Sequence, residues 1–342
     1  MKMLIDGDVI AYRCGFAGEK TKYDYYHPDD IEDVRDGEEG VEYVLRDDAE
    51  PVHTADNAKE GKAWVQMQVE DGDTEAESLV RIPRKIIEPV EHVLHSVKVV
   101  MAAIEERMGP GEVHVYFSCP TPDNWRTSFY PEYKANRPDR KPFWSDDIKL
   151  YLTLGPWAVH RDDHLEADDL ISLAAYAATE RGEDWVIVSI DKDFMQIPGK
   201  HYDWVKEELV TIDEDRARQL HAIQCLMGDS VDNIKGIPGL GEVGAWAHLQ
   251  ECTEGSFDEI VLEGYLTAVD KKGEKIFADP YEAAYQCAVT RALVTLPEDR
   301  QHIEELMEEV ERAKDRFEET QAHLQGSVGT DAGADDNAED AA

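Results

Sequence analysis

Cysteine is sparse in this 342-residue chain, and basic residues number fewer than half the acidic ones. The five cysteines, Cys14, Cys119, Cys225, Cys252 and Cys287, are odd in number, far apart and never form a Cys-x-x-Cys pair. That pattern argues against a disulfide scaffold and against a cysteine-based zinc or redox site. Reduced, mostly buried thiols are expected. No stretch approaches the roughly 18 uninterrupted apolar residues of a spanning helix. Met1-Lys2-Met3-Leu4-Ile5-Asp6 breaks before a signal-peptide core can form. These absences lead to the expectation of a soluble intracellular protein with no membrane partner. Internal repeats are missing as well.

What is present is length, an adequate apolar share and a great deal of acid. The length suits about two domains, and 42% apolar residues argue against wholesale disorder. With 75 acidic and 35 basic residues the formal charge is −40. Acidity on this scale resembles the surface habit of proteins from salt-loving organisms, where screening makes mutual repulsion tolerable. A saline host is the expectation. Part of the excess is local: residues 24–84 hold 19 acids against 6 bases, and the 17 residues from Gly326 hold five acids and no base.

Met3-Leu4-Ile5 reads as a buried strand ending at Asp6-Gly7-Asp8. Residues 24–84 show weak periodicity and read as an acidic insertion, with a hairpin as one form it could take. Helical spacing of Val90, Val93, Leu94, Val97, Met101 and Ile104 runs from Pro89 to Gly109-Pro110-Gly111. Val113–Phe117 and Trp185–Ile190 are further strands, and Leu165–Ala178 has helix composition with acids in its first turn. This alternation predicts an α/β protein with a mainly parallel sheet flanked by helices, ligands lying beyond the strands' carboxyl ends. From residue 211 the pattern turns helical, with a glycine loop between helix-like 214–228 and 242–251. The expected division is a domain over 1–210, a helical region over 211–297, a charged helix over 298–325 and a disordered acidic tail over 326–342.

Acids gather at the predicted strand ends and turns. Asp6 and Asp8 follow the first strand, Glu166, Asp168 and Asp169 open a helix, Asp191 and Asp193 follow another strand, and Asp229 and Asp232 precede the glycine loop. Two unit charges about 4 Å apart repel by about 4 kcal/mol at an effective dielectric near 20, so convergence of these groups requires cations. Hard oxygen donors without His or Cys suit Mg²⁺ or Mn²⁺, and two such ions can activate a water and stabilise a phosphodiester's leaving oxygen.

One window runs against the overall charge. Between Asn124 and Pro142, Arg126, Lys134, Arg137, Arg140 and Lys141 outnumber Glu132 and Asp139, interleaved with Trp125, Phe129, Tyr130 and Tyr133. Cations among aromatic faces suit a nucleic-acid backbone and its bases. Further on, Gly236-Ile237-Pro238-Gly239-Leu240-Gly241 sits between two helices, a pattern that lets backbone amides approach phosphate without reading sequence. Lys235, Gly236, Gly239 and Gly241 are the candidate contacts there, alongside Arg126, Tyr133, Lys134 and Arg137 in the basic window.

These residues together resemble the 5′ nucleases, the flap endonucleases and 5′–3′ exonucleases of bacteriophages and the 5′ nuclease domain of bacterial DNA polymerase I. The resemblance runs through Ile5-Asp6-Gly7-Asp8 with Tyr12-Arg13, Tyr130–Arg137, Glu166–Leu170, Asp191-Lys192-Asp193 and Gly228–Asn233. It implies a PIN-like fold, a helical arch over 124–150, Mg²⁺- or Mn²⁺-dependent hydrolysis by two ions, and a helix-hairpin-helix-like element binding K⁺ through carbonyls. By the same resemblance Asp6, Glu166 and Asp168 form one metal group and Asp191, Asp193, Asp229 and Asp232 the other, with Asp169 between them. Arg13, Lys134 and Arg137 match the contacts to the scissile phosphate and arch. Cys119 departs from the pattern, standing where the family usually has an aspartate; Asp8 or Asp123 substitutes, or the first metal site is weakened.

The implied function is a monomeric structure-specific 5′ nuclease acting on DNA ends, flaps or nicks in replication or repair. RNA–DNA hybrids, and a viral or cellular origin, stay open at this point. The alternative is a DNA-structure-binding protein on a nuclease fold with weak or no turnover.

Overall fold

The computed structural model describes residues 1–37, 40–138, 140–251 and 255–328. The chain forms two units. One comprises Met1–Val9, Ile104–Arg140 and the chain from Leu152 onward; the other comprises Ile10–Ala103 and Lys141–Tyr151.

The first unit is built on a six-stranded sheet. The apolar run at the N-terminus becomes β1 (Lys2–Asp6), with Met3, Leu4 and Ile5 essentially inaccessible to solvent. It lies between β7 (Glu112–Tyr116) and β9 (Trp185–Val188), parallel to both. Beyond β7 comes β8 (Ala158–His160), and beyond β9 come β10 (Gly199–Asp203) and the antiparallel edge strand β11 (Glu208–Ile212). The strand order is β11-β10-β9-β1-β7-β8. From β1 the chain winds outward to β8 and then returns to the other side of β1 with β9. The order therefore reverses at β1, which by the rule for such sheets points to the carboxyl end of β1, at Asp6, as the place for a ligand.

Helix α5 (Ala167–Glu180) packs Ala167, Ile171, Ala175 and Ala178 with Leu4, Tyr116 and Ile187 of the sheet. This is the α/β class that the alternation of strand and helix patterns predicts. The remainder of the unit is helical: α6 (Glu214–Met227), α7 (Glu242–Glu251), α8 (Phe257–Thr267), α9 (Pro280–Val294) and α10 (Arg300–Val328). A core of Leu226, Ala245, Tyr265, Ala292 and Leu306 holds them, and Trp125, Tyr133 and Leu165 join it. Between α6 and α7 the short pair β12 (Gly228–Asp229) and β13 (Ile234–Lys235) makes a hairpin. Gly228 has φ +67°, and a Cβ there would stand 2.3 Å from the Gly236 nitrogen, so only glycine fits that crossing. The expected tail begins inside α10, and from residue 329 it lies outside the described residues.

In the second unit, β2 (Glu19–Tyr26) pairs antiparallel with β5 (His53–Ala55) and β6 (Val80–Ile87), and β3 (Ile31–Gly37) pairs with β4 (Gly40–Leu45). The acidic stretch 24–84 is thus a small sheet, a hairpin and a helix, α2 (Ala58–Glu70). Asp24 is buried on β2, with its charge met by Arg84 at 2.5 Å and the Thr54 hydroxyl at 2.5 Å. Three helices carry residues of both units: α1 (Gly7–Ala17), α3 (Val90–Met108) and α4 (Ser145–Leu154).

The stretch 124–150, expected to be helical, is a 3-10 turn over Trp125–Ser128 followed by turns, and α4 begins only at Ser145. Pro131, Pro138 and Pro142 supply no amide donor and disfavour helix at the residue before each, which breaks the ladder.

Candidate active site

The carboxylates reach one region of the first unit from four elements. Asp6 ends β1, where its side chain accepts the Val9 amide at 3.0 Å and the Ser189 hydroxyl at 3.1 Å. Asp191 follows β9 and accepts the Asp193 amide at 2.9 Å, opening the 3-10 turn Lys192–Gln196. Glu166 and Asp168 stand at the start of α5. Asp229 lies on β12 and Asp232 in the turn that follows it. A cavity of about 200 Å³ is lined by Glu166, Asp168, Asp193, Asp229 and Asp232, with Lys192, Gln224 and Arg126.

Repulsion inside this cluster is visible in its ionisation. Burial, then Asp8 and Asp191, push the Asp6 carboxyl up to about 7. Burial, then Asp191, Asp229 and Asp232, push Asp193 up to about 7. Asp168 is raised well above the carboxylate range by burial and by the charges of Asp6 and Asp191. Gln224 of α6 donates to Asp193 at 2.6 Å, a partner with no sequence signature beyond its place near a helix end.

Another set of acids has cations of its own. Lys134 Nζ lies 2.5 Å from Glu166 Oε1 and 3.7 Å from Asp232 Oδ2, and Arg137 pairs with Asp232. Burial opposes ionisation of Glu166, yet Lys134, Arg126 and the Tyr133 hydroxyl at 2.7 Å keep it below its ordinary range. Asp169, fully buried, receives Arg126 on both oxygens at 2.9 and 2.8 Å and the Trp125 indole N–H at 3.2 Å. It also accepts the Glu166 amide, fixing the first turn of α5.

Three expectations fail on this geometry. Asp169 is not available as a metal ligand, because a guanidinium already satisfies both oxygens. Arg126 is not a DNA contact: it is 2% exposed and spends its remaining donors on the Leu293 and Thr295 carbonyls. Tyr133 cannot stack a base, since it is buried against the helical core with its hydroxyl on Glu166. The sequence could not separate these groups from their exposed neighbours, because their environment is set by elements far along the chain; Arg126, for one, is closed over by the Leu293 and Thr295 carbonyls.

Of the other candidates, Lys235, Gly239 and Gly241 are exposed, whereas Gly236 is buried against Met227. Arg13 is exposed on α1 in the second unit. Cys119 is buried, and burial with Glu166, Asp169 and Asp123 nearby pushes its thiol up to about 12, so it offers no thiolate. Beside it, Asp8 accepts the Ser118 amide at 2.8 Å. Hard carboxylate oxygens that oppose one another's ionisation are the donor chemistry a divalent cation fits. Among the described residues no three His, Cys, Asp or Glu groups already converge as a ligand shell.

Residues 81–221 match the family model described as 5′-3′ exonuclease, N-terminal resolvase-like domain. The flap endonuclease Xni of Shewanella pealeana is 31% identical over 190 residues, covering 52% of this chain and 70% of that protein. The chain belongs to the 5′ nuclease family. The DNA polymerase I of Chloroflexus aurantiacus is 29% identical over 194 residues, 51% of this chain but 20% of the polymerase. The chain thus spans about a fifth of the length of that relative. Among solved structures, T5 5′-exonuclease with bound zinc aligns over 64% of this chain and 90% of its own, at 16% identity and a TM-score of 0.49. Membership in the 5′ nuclease family rests on the sequence matches alone. No helix among the described residues is long and apolar enough to cross a membrane.

Proposed function

We propose that this 5′ nuclease family member hydrolyses phosphodiester bonds of DNA at 5′ ends, flaps or nicks, using divalent cations held by Asp6, Asp8, Glu166, Asp168, Asp191, Asp193, Asp229 and Asp232. The observation that carries the reading is the gathering of carboxylates in which Asp6, Asp168 and Asp193 are held above the ordinary carboxylate range by burial and neighbouring acids, and in which Glu166, Asp168, Asp193, Asp229 and Asp232 line one cavity. A fold retains such mutual repulsion where a cation relieves it. Mg²⁺ is the ion best suited to an all-oxygen set, and Mn²⁺ substitutes for it. Bound there, the ions would supply Lewis acidity toward the scissile phosphodiester.

The chain's own residues do the rest. Lys134 and Arg137 meet the phosphate. The exposed turn at Gly239 and Gly241, leading into α7, offers backbone amides to a duplex backbone, and its carbonyls are the candidate site for K⁺. RNA–DNA hybrids are a secondary substrate class for the same chemistry.

The test is a 5′-flap DNA labelled at its 5′ end and incubated with Mg²⁺. Release of a short labelled product by the wild-type chain, and none by Asp191→Ala, is the expected outcome. Full activity in Asp191→Ala removes the cluster from the mechanism. A second reading, a DNA-structure-binding protein with little turnover, is favoured by one observation: Cys119 is a neutral thiol where the family usually carries an aspartate. Flap binding without cleavage at any Mg²⁺ or Mn²⁺ concentration would select it.

A further inference from the structure

We propose that Lys134 and Arg137 are resident counter-cations of the carboxylate centre, and that divalent metal loads this chain by displacing them. The inference rests on the divalent-metal reading above. Lys134 Nζ sits on Glu166 Oε1 at 2.5 Å, and its side chain is 10% exposed. The guanidinium of Arg137 is paired with Asp232. Both carboxylates belong to the set that a metal would need, and an ammonium at that distance occupies the lone pairs a hard cation would take.

The two cations are delivered by a latch between loops. The Lys134 amide donates to the Asp232 carbonyl at 2.9 Å, and Asn136 Nδ2 donates to the Ser230 carbonyl at 2.8 Å. In the other direction Asn233 Nδ2 donates to the Glu132 carbonyl at 2.8 Å, while the Tyr130 hydroxyl reaches the Asn233 carbonyl at 3.1 Å. Lys134 has φ +57° and Asn233 φ +58°. Left-handed backbone is unfavourable for lysine and persists only where its surroundings enforce it. The latch enforces it here, and the result is to aim an ammonium group into Glu166.

This arrangement ties metal to phosphate. When Lys134 and Arg137 leave Glu166 and Asp232, they need new anionic partners, and a DNA phosphate is the partner the proposed substrate supplies. Phosphate binding to the two cations frees the carboxylates, and metal binding to the carboxylates frees the cations. By linkage each event favours the other to the same extent. Lys134 is thus a positioning residue for metal uptake as well as a candidate phosphate contact.

The test measures Mn²⁺ binding to the intact, DNA-free protein by electron paramagnetic resonance of the free ion, for wild type, Lys134→Asn and Lys134→Arg. Asparagine tolerates the left-handed backbone and keeps the hydrogen bond from its backbone N–H to the Asp232 carbonyl while removing the charge. Lys134→Asn should bind Mn²⁺ at least about fivefold more tightly than wild type, and Lys134→Arg within about twofold of it, because a neighbouring cation no longer competes. Addition of uncleaved flap DNA in the metal assay should tighten Mn²⁺ binding in wild type and much less in Lys134→Asn. In parallel, acylation of Lys134 in the wild-type chain, read by mass spectrometry, should be slow without metal and accelerate with Mn²⁺. Unchanged or weaker Mn²⁺ binding in a folded Lys134→Asn protein overturns the proposal. If that variant does not fold, unchanged acylation of Lys134 while Mn²⁺ binds wild type overturns it. A wild-type protein that takes up no Mn²⁺ with or without DNA overturns the divalent-metal reading itself, and this inference with it.

Discussion

Asp168 and Asp169 are adjacent at the start of α5, yet one faces Asp6 and Asp191 while the other holds Arg126 on both oxygens. The same division runs through the whole centre. On one side Glu166, Asp169 and Asp232 have resident cations in Lys134, Arg126 and Arg137. On the other, Asp6, Asp168 and Asp193 face like charges. The compensated side also contains the groups most deeply tied to the helical core, Arg126 and Tyr133. A scaffold can hold several buried acids without bound metal where it brings its own cations. The acids that face like charge are those whose charge the proposed divalent cations would complete.

Arg126→Met gives the largest expected effect and could break this comparison outright. The change leaves Asp169 buried and unpaired and removes donors from the Leu293 and Thr295 carbonyls. Breaking a buried pair in this way costs about 3–5 kcal/mol of stability, measurable as a fall in the urea midpoint. A loss below about 1 kcal/mol, the level of an exposed pair, would show that the two sides do not differ as described.

How far the sequence foretold this division depends on which contacts are local. The apolar runs of β1, β7 and β9 and the helical spacing of α3 could be read directly, because burial on a parallel sheet leaves few polar interruptions. The acids at strand ends followed from the same reading. The edge elements were hidden: β8 has three residues, and β11 is exposed along most of its length, so neither carries an apolar run. Within the site, Arg126 and Lys134 look equivalent in one net-positive window with aromatic neighbours. Their separation depends on the C-terminal end of α9 and the residue after it, whose Leu293 and Thr295 carbonyls close over Arg126, and no local pattern announces it. Trp125 and Tyr133 were read as stacking faces for the same reason, although both serve the core.

Asp193→Asn sharpens the comparison from the other side. The amide keeps an oxygen for Gln224 and removes a charge that burial and three carboxylates oppose. In EDTA at pH 8 the variant should be more stable than wild type by about 1–2 kcal/mol, a fraction of the full linkage value because the group is partly exposed. The sign follows from the raised carboxyl. Below about 3.8, the ordinary value, both folded and unfolded wild type are protonated and the variant gains nothing; its advantage grows as the pH rises toward about 7 and is complete above it. With saturating Mg²⁺ the order should reverse, since ligand binding stabilises only the chain that retains the site. Thermal melts at pH 4 and 8, with and without Mg²⁺, check each step. A variant less stable than wild type in EDTA at pH 8 would place Asp193 on the compensated side.

The smallest effect concerns salt, and it separates the site from the rest of a −40 chain. Raising KCl from 0.05 to 1 M shortens the screening length from more than about 10 Å to about 3 Å. Repulsion among surface acids falls with it, so wild type and Asp193→Asn should both melt at higher temperature in EDTA. That shared rise reports the surface. The difference between the two proteins reports the site, where the carboxylates are largely removed from solvent and mobile ions screen them less. The advantage of Asp193→Asn should therefore shrink by no more than about 0.5 kcal/mol over this range, a fraction of the charge-pair energies at work. A K⁺ ion entering the cluster would shrink it further in the wild type, so the series is run in tetramethylammonium chloride as well, whose cation is too large to do so. An advantage that disappears in both salts would mean that these acids are screened like any on the surface. The contrast between the two sides of the centre would then lie in its ion pairs alone.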